Sequence, residues 1–444
     1  MRNNLGRMES LIMKIIKNLI MINLKNENMD YLFVNGINGV VDLVHKKERE
    51  IIENWLQVDE IIIRNEFEKS LYEYLVSRQY IMSENDENKA KQNLIDRLKV
   101  IYNERAKEQC IAWFVLTYNC NFSCPYCYEK EIEFSPTISK SMVDKVFLDN
   151  PNIKSIGLFG GEPLLNSNRE IIKYIINKAP NAKYTIITNG YHLSEYMDII
   201  KNIEIEVIQV TLDGTKETHN TTRCLLNGKP TYDKIIDGIK ECIDNKITVK
   251  IRMNVSNENL ENCLEEKKRI ECTEWGKNLQ FELQPLFQCN SLIKKDLYKS
   301  LVKNDNEMGS KNNQILKNLS PISDFLYNNK KLIPILKMCD RDGRNRFYDP
   351  YGNIYNCILA VGQVHKSIGQ YYPSLILKEK SFHTRDITII EKCKDCANSF
   401  ICGGGCPNIF PKDVDVFTPN CYSFLNDINN IVPLVYKMRE NKQI

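Results

Sequence analysis

Cys120-Asn121-Phe122-Ser123-Cys124-Pro125-Tyr126-Cys127-Tyr128 sets three thiols within eight residues, just after the apolar run Ala112 to Leu116. Thiols this close can hold three corners of an iron-sulfur cube, and a cube with only three protein ligands keeps one iron free for another ligand. Two other readings fit the same spacing. Buried structural cysteine is common for this residue type, and zinc sites usually pair a CxxC with a distant second pair.

At 444 residues the chain can fill two or three domains with sizeable cores. Its 43% hydrophobic and 26% charged residues describe an ordinary globular protein. Sixty basic residues against 57 acidic ones leave a net charge of +3, so nothing marks a nucleic-acid partner. The sixteen cysteines stand out, because a chain of this length does not need disulfide staples. Clustered CxxC-type spacings without an export signal point instead to metal ligation in a reducing, cytoplasmic compartment. The opening stretch is apolar at Leu11, Ile12, Ile15, Ile16, Leu19 and Ile20 but carries Lys14 and Lys17. It has no small-residue cleavage site, and no run reaches about 18 apolar residues, so neither secretion nor a membrane span is expected. Residues 1–28 read as a leader, either an amphipathic surface helix or sequence upstream of the true start.

From 29 to 108 the pattern suggests a separate small module. Tyr31 to Val44 reads as two short strands around Asn35-Gly36 and Asn38-Gly39, a strong hairpin signal. Helical patterns follow over Lys46 to Leu56 and Glu66 to Ser77, a winged-helix-like order, and 84–108 reads as a solvated linker helix. From 109 to 335 strands alternate with helices, which predicts parallel β/α units. The strands are expected at Ala112–Thr117, Lys154–Phe159, Tyr184–Thr188, Val207–Leu212, Thr248–Val255 and Leu279–Leu286. On the last three, Gln209, Thr211 and Asp213, then Lys250, Arg252 and Asn254, then Gln280, Glu282 and Gln284 share one face, with apolar residues opposite. With helices outside, those polar faces line an interior, and a polar lumen means a ligand site.

The loops after the strands hold the other signals. Gly160-Gly161-Glu162-Pro163 follows the second strand, where glycines let backbone approach a ligand closely. Thr188-Asn189-Gly190 follows the third, and Thr211-Leu-Asp213-Gly214 with His219 and Arg223 follows the fourth. Between 336 and 430 lies a second cysteine field: Cys339, Cys357, Cys393, Cys396, Cys402, Cys406 and Cys421, with Gly403, Gly404 and Gly405 making room for a tight turn. Seven ligands in this order are not two clean zinc quartets.

Together the CxxxCxxC loop, the GGEP loop and the TxDG...H...R run resemble the radical S-adenosylmethionine (SAM) superfamily, and the seven later cysteines fit its SPASM pattern. The resemblance covers about residues 110–425. It implies an α/β fold with a partial (β/α)6 barrel, about three quarters of a closed one, between a winged-helix-like module and a Cys-rich SPASM domain. It also implies SAM and three 4Fe-4S clusters: one on Cys120, Cys124 and Cys127, one on Cys393, Cys396, Cys402 and Cys421, and one on Cys339, Cys357 and Cys406. The last lacks a fourth ligand, for which Cys289 or a substrate thiolate is a candidate. SAM would meet Tyr126, the backbone and carboxylate of Gly160, Gly161, Glu162 and Pro163, then Asn189, Thr211, Asp213, Arg223 and Arg252. Arg223 suits its carboxylate, because a guanidinium matches that geometry in bidentate fashion.

In the family, reductive cleavage of SAM yields a carbon radical that abstracts a substrate hydrogen, the electron coming from a flavodoxin- or ferredoxin-type donor. Similar front modules bind the leader of a precursor peptide by strand addition; a structural cap for the catalytic domain is the other reading of residues 29–83. The resemblance therefore implies a peptide maturase that forms a crosslink in a ribosomally made precursor, with a cysteine thioether preferred. Sulfatase-type oxidation is the alternative, although Ile358 stands where those relatives carry an aspartate; a non-catalytic iron-sulfur protein is a third reading. Glu282 and Asp213 are candidate bases, as carboxylates inside a barrel.

Overall fold

The computed structural model describes residues 12–107, 111–129, 132, 135–277, 279–286, 321–338, 345–379, 381, 384–406, 414–415 and 417–441. Cys339 and Cys289 lie outside them. The chain forms two compact units, one of residues 104–315 and 341–384, the other of 1–103, 316–340 and 385–444. Both are discontinuous in sequence. No helix among the described residues is long and apolar enough to cross a membrane.

Residues 1–103, 316–340 and 385–444 build on short strands. β1 (Met13–Ile15) and β2 (Leu19–Asn23) precede the hairpin of β3 (Tyr31–Asn35) and β4 (Val41–Val44), and β5 (Ile81–Ser83) returns to pair with β1. β2, β3 and β4 make a three-stranded antiparallel sheet. The stretch expected as a leader or surface helix is therefore strand from Met13 onward. Leu19 to Asn23 alternates half-buried and buried residues, the period of a strand with one face covered, and Lys14 points outward between the partly buried Met13 and Ile15. Asn35 shapes the hairpin turn, its side-chain oxygen accepting from the backbone of Ile37 at 3.0 Å.

Helices Lys46–Trp55 and Glu66–Ser77 follow, the second capped by Asn65, which accepts from Glu68 N. Helix Glu84–Lys107 is not a solvated linker: Leu94, Leu98 and Tyr102 are buried with Ile37, Leu336, Ile390, Cys393 and Phe400. Its charged residues cover only the remaining faces.

In the other unit β6 (Ile111–Val115), β7 (Ser155–Phe159), β8 (Lys183–Thr188), β9 (Glu204–Thr211), β10 (Val249–Val255) and β11 (Gln280–Pro285) are hydrogen-bonded in sequential order, all parallel. Helices such as Lys140–Asp149, Arg169–Lys178, Tyr232–Asp244 and Leu260–Glu271 connect them. This is the partial (β/α)6 arrangement, and strand alternation explains it. Phe114, Leu158, Ile186, Val210 and Ile251 are buried against helix residues including Val143, Ile175, Ile235 and Ile239. The helices take that face, which leaves the other to the lumen.

Four more strands extend the sheet. β12 (Asn345–Tyr348) runs parallel to β6, and β13 (Asn353–Tyr355), β14 (Gly369–Gln370) and β15 (Ile376–Leu377) continue antiparallel. Residues 345–377, expected in a separate Cys-rich domain, thus belong to the barrel sheet. Phe347 and Tyr355 pack on one side of it, Tyr348 and Ile354 on the other, as a strand covered on both faces requires.

Candidate active site

The cysteine loop leaves the end of β6 and is held by the GGEP loop beside it. Gly161 N donates to Thr117 O at 2.8 Å and Glu162 N to Asn119 O at 2.9 Å. A Cβ at Gly160, where φ is +136°, would lie 2.3 Å from Thr117 O, and one at Gly161 would lie 2.4 Å from the carbonyls of Tyr118 and Asn119. These glycines serve a close approach between two stretches of protein backbone. Fully buried Glu162 accepts from Leu164 N at 2.9 Å, Thr188 Oγ1 at 2.6 Å and Asn189 N at 2.7 Å. Its carboxylate, expected to grip the SAM amino group, ties the loop after β7 to that after β8. Asn189 passes the link on, donating to Asn121 Oδ1 at 2.8 Å inside the cysteine loop.

A short antiparallel bridge, Phe122 to Leu225, closes the loop from the other side, with Ser123 N on Cys224 O at 3.1 Å and Leu226 N on Asn121 O at 3.0 Å. Alternation along it turns Phe122 and Arg223 inward and leaves Ser123 and Leu226 exposed. Arg223 donates to Tyr126 Oη at 2.7 Å, lies 3.9 Å from Asp213 and stands over the Phe122 ring. Its Nε is buried with no partner. Such a donor needs an acceptor, and an anionic ligand supplies one.

Asp213, also fully buried, accepts from Tyr126 Oη and from Asn254 N at 3.1 Å. Burial pushes its carboxyl up, against the pull of Arg223 and the Tyr126 hydroxyl. So engaged, Asp213 positions Tyr126 and Arg223. Glu282 is paired with Lys250 and lies 3.9 Å from Arg252. Arg252 Nε also donates to Asn254 Oδ1 at 3.3 Å.

His219 braces the turn after β9. Its Nδ1 accepts from Asp213 N at 3.3 Å, and its Nε2 meets Thr231 Oγ1 at 3.1 Å, whose own proton goes to Arg223 O at 2.7 Å. That network assigns a neutral imidazole, and burial, helped by Arg223, lowers its pKa to about 3.

Cys120, Cys124 and Cys127 are partly buried, and burial pushes all three thiols up, Cys120 to about 12. A metal would have to drive their ionisation. Among the described residues no three His, Cys, Asp or Glu side chains are gathered for one metal ion. A cube spreads its thiolates over separate irons, and three soft donors on one loop beside the orphaned Arg223 Nε fit a cluster with an anionic fourth ligand. Buried Glu129 follows these thiols, its Oε1 also without a partner.

The lumen has two halves. β9, β10 and β11 present Gln209, Thr211, Lys250, Arg252 and Glu282, the polar faces expected; Thr211 is buried there. Trp113, Val115, Phe159, Phe347 and Tyr355 make the other half apolar. Gly157 is needed there, since a Cβ would lie 2.0 Å from Trp113.

In the other unit Cys393, Cys396, Cys402 and Cys421 are near neighbours. Burial and then the thiols of Cys396 and Cys421 push Cys393 up to about 11, while Cys402 rises to about 12 by burial and the other three thiols. Gly403, Gly404 and Gly405 all take positive φ. A Cβ on Gly405 would lie 2.1 Å from Asn420 O. Buried Arg385 donates to the carbonyls of Gly404 at 2.6 Å, Gly405 at 2.9 Å and Thr418 at 3.1 Å, and Asn18 donates to Cys396 O at 3.2 Å. Neither residue carries a sequence signal, because each binds backbone far away in the chain. Cys357 belongs to the barrel unit and Cys406 to this one.

Residues 114–268 match the model of the Radical SAM superfamily, and this stretch of the chain is a radical SAM domain. Among solved structures, anSMEcpe with bound AdoMet and Kp18Cys peptide is 16% identical with a TM-score of 0.52, over 75% of this chain and 99% of that one. Streptococcus suis SuiB bound to S-adenosylmethionine is 14% identical with a TM-score of 0.50, over 92% and 98%. These likenesses are of fold. In sequence the chain is 27% identical to GTP 3',8-cyclase of Nautilia profundicola over 31% of this chain and 44% of the cyclase. It is 30% identical to FeMo cofactor biosynthesis protein NifB of Methanocaldococcus infernus, over 30% and 53%. The chain thus spans about half the length of these relatives or less.

Proposed function

We propose that the chain is a radical SAM enzyme of the SPASM type that installs a crosslink, by preference a cysteine thioether, in a ribosomally made peptide. The observation that carries the SAM site is the unpartnered Nε of Arg223, on the inward face of the bridge that holds the cysteine loop. Cys120, Cys124 and Cys127 would hold the first 4Fe-4S cluster. With SAM bound, such a cluster would supply the electron for reductive cleavage, the chemistry that makes hydrogen abstraction from substrate accessible.

The chain's own residues orient and enclose. Arg223 would take the SAM carboxylate, held in place by Tyr126 and Asp213. Glu162 and Asn189 fix the cysteine loop from behind. The apolar half of the lumen excludes water, and Lys250, Arg252 and Glu282 face polar substrate groups.

The C-terminal thiols support a modifying enzyme with auxiliary clusters, one on Cys393, Cys396, Cys402 and Cys421 and one on Cys339, Cys357 and Cys406, three clusters in all. Peptide as substrate is favoured by the solved relative whose structure holds AdoMet and a peptide. The module expected over residues 29–108 would hold the leader, a flavodoxin- or ferredoxin-type protein would supply electrons, and the cytoplasm would be the compartment. Sulfatase-type oxidation is the second reading, weakened because Ile358 offers no carboxylate.

Co-expression with a short cysteine-containing peptide encoded beside the gene tests the proposal. The expected product is two mass units lighter per link; an unchanged mass under reducing, SAM-replete conditions contradicts it.

A further inference from the structure

The proposed chemistry finds no use for Glu129, two residues past Cys127. Glu129 is 7% exposed, and its Oε1 is buried without a hydrogen-bond partner. Among the described residues no lysine or arginine offsets that burial. Its charge acts on Tyr118 and Tyr128, yet both hydroxyls are committed elsewhere. Tyr118 Oη donates to Asp349 Oδ2 at 3.0 Å and Tyr128 Oη to Ile358 O at 3.1 Å. Ile132 N meets only the backbone of Glu129, donating to its carbonyl at 3.1 Å. The surroundings are apolar: Tyr118, Cys357 and Val361 pack with Ile132 and Ile358. The carboxylate thus borders the apolar half of the lumen, whereas the open Nε of Arg223 belongs to the group formed with Tyr126 and Asp213.

We propose that Glu129 is a specificity-determining residue that receives the ammonium or guanidinium of a lysine or arginine in the substrate peptide. The inference rests on the reading of the chain as a peptide-modifying enzyme, and it names what the peptide must carry near the residue that reacts. A buried carboxylate without a partner is costly, so the working complex has to supply one. A neutral donor would satisfy the oxygen and leave the charge bare. A cation does both, through a short charge-assisted bond. The polar half of the lumen offers no rival site, since Lys250 and Arg252 already outnumber Glu282 there. Because Glu129 follows Cys127 so closely, a side chain held by it keeps the adjoining part of the peptide beside the cysteine loop. Only binding is involved; no bond is made or broken at Glu129.

The test uses the full chain, reconstituted with iron and sulfide. The probes are the cysteine-containing peptide encoded beside the gene and derivatives in which each lysine and arginine is replaced in turn by methionine. Calorimetry on the wild-type protein should find one basic position whose loss weakens peptide binding about thirtyfold or more. Glu129→Gln should bind the parent peptide as weakly as wild type binds that derivative, and should no longer distinguish the two. Its iron content and its affinity for SAM should match wild type. Wild-type binding that is indifferent to every basic position, or a Glu129→Gln variant that holds the parent peptide at wild-type affinity, overturns the site. A loss of SAM affinity in the variant overturns it too, by giving the carboxylate to the SAM ammonium. Should Glu129→Gln fail to take up iron, the peptide series on the wild-type protein decides by itself. An unchanged peptide mass overturns the crosslinking reading, whereas the affinities alone decide this site.

Discussion

The two groups of thiols are held by different means. Around Cys120, Cys124 and Cys127 the supports come from neighbouring strand ends: the Gly160-Gly161 backbone, the Glu162 carboxylate and the bridge at Leu225. Around Cys393, Cys396, Cys402 and Cys421 they come from residues remote in sequence, Asn18 and Arg385, which bind carbonyls directly. The first region leaves two buried polar atoms open, Arg223 Nε and Glu129 Oε1, and among the described residues the second leaves none. Buried groups left open call for a partner that the chain itself does not supply.

Removing a thiol from each group should break the comparison most sharply. Cys124→Ala should abolish 5'-deoxyadenosine formation, whereas Cys402→Ala should lose about four irons yet still cleave SAM without substrate. Iron assay and nucleoside chromatography on both variants check this.

Arg385→Met should cost about 2–4 kcal/mol, since two buried carbonyls and one partly buried one lose their donor. Hydrogen exchange should rise over residues 402–421 while residues 117–127 stay protected.

Gly161→Ala acts on the other group, where a Cβ has no room. Its cost of about 1–3 kcal/mol should come with weaker SAM binding, read by calorimetry on the reconstituted protein.

A pH-dependent effect belongs to His219. Its folded pKa, lowered to about 3, lies below the unfolded value of about 6.5. The unfolded chain therefore binds the extra proton, and this stabilisation is present above about pH 6.5 and lost as pH falls toward 3. The slope is at most about 1.4 kcal/mol per pH unit. Denaturation of His219→Gln should show a stability deficit against wild type that shrinks between pH 7 and pH 5.

Much of this was legible in the chain because the signals were local. The six strands fall within a few residues of their alternating patterns, and the motif loops sit at the strand ends. What escaped depends on distant partners. Phe347 pairs in register with Trp113, which no local pattern of either segment encodes. Met13 to Asn23 was ambiguous because lysines interrupt a run that fits two periods. Glu162 and Asp213 were visible as carboxylates, but their hydrogen-bond partners, and so their roles as braces, were not.

Anaerobic reconstitution with iron and sulfide, followed by metal analysis and reduction in the presence of SAM, tests the central claim most directly. The account predicts about twelve irons per chain and release of 5'-deoxyadenosine. Tight zinc occupancy without that nucleoside would contradict it.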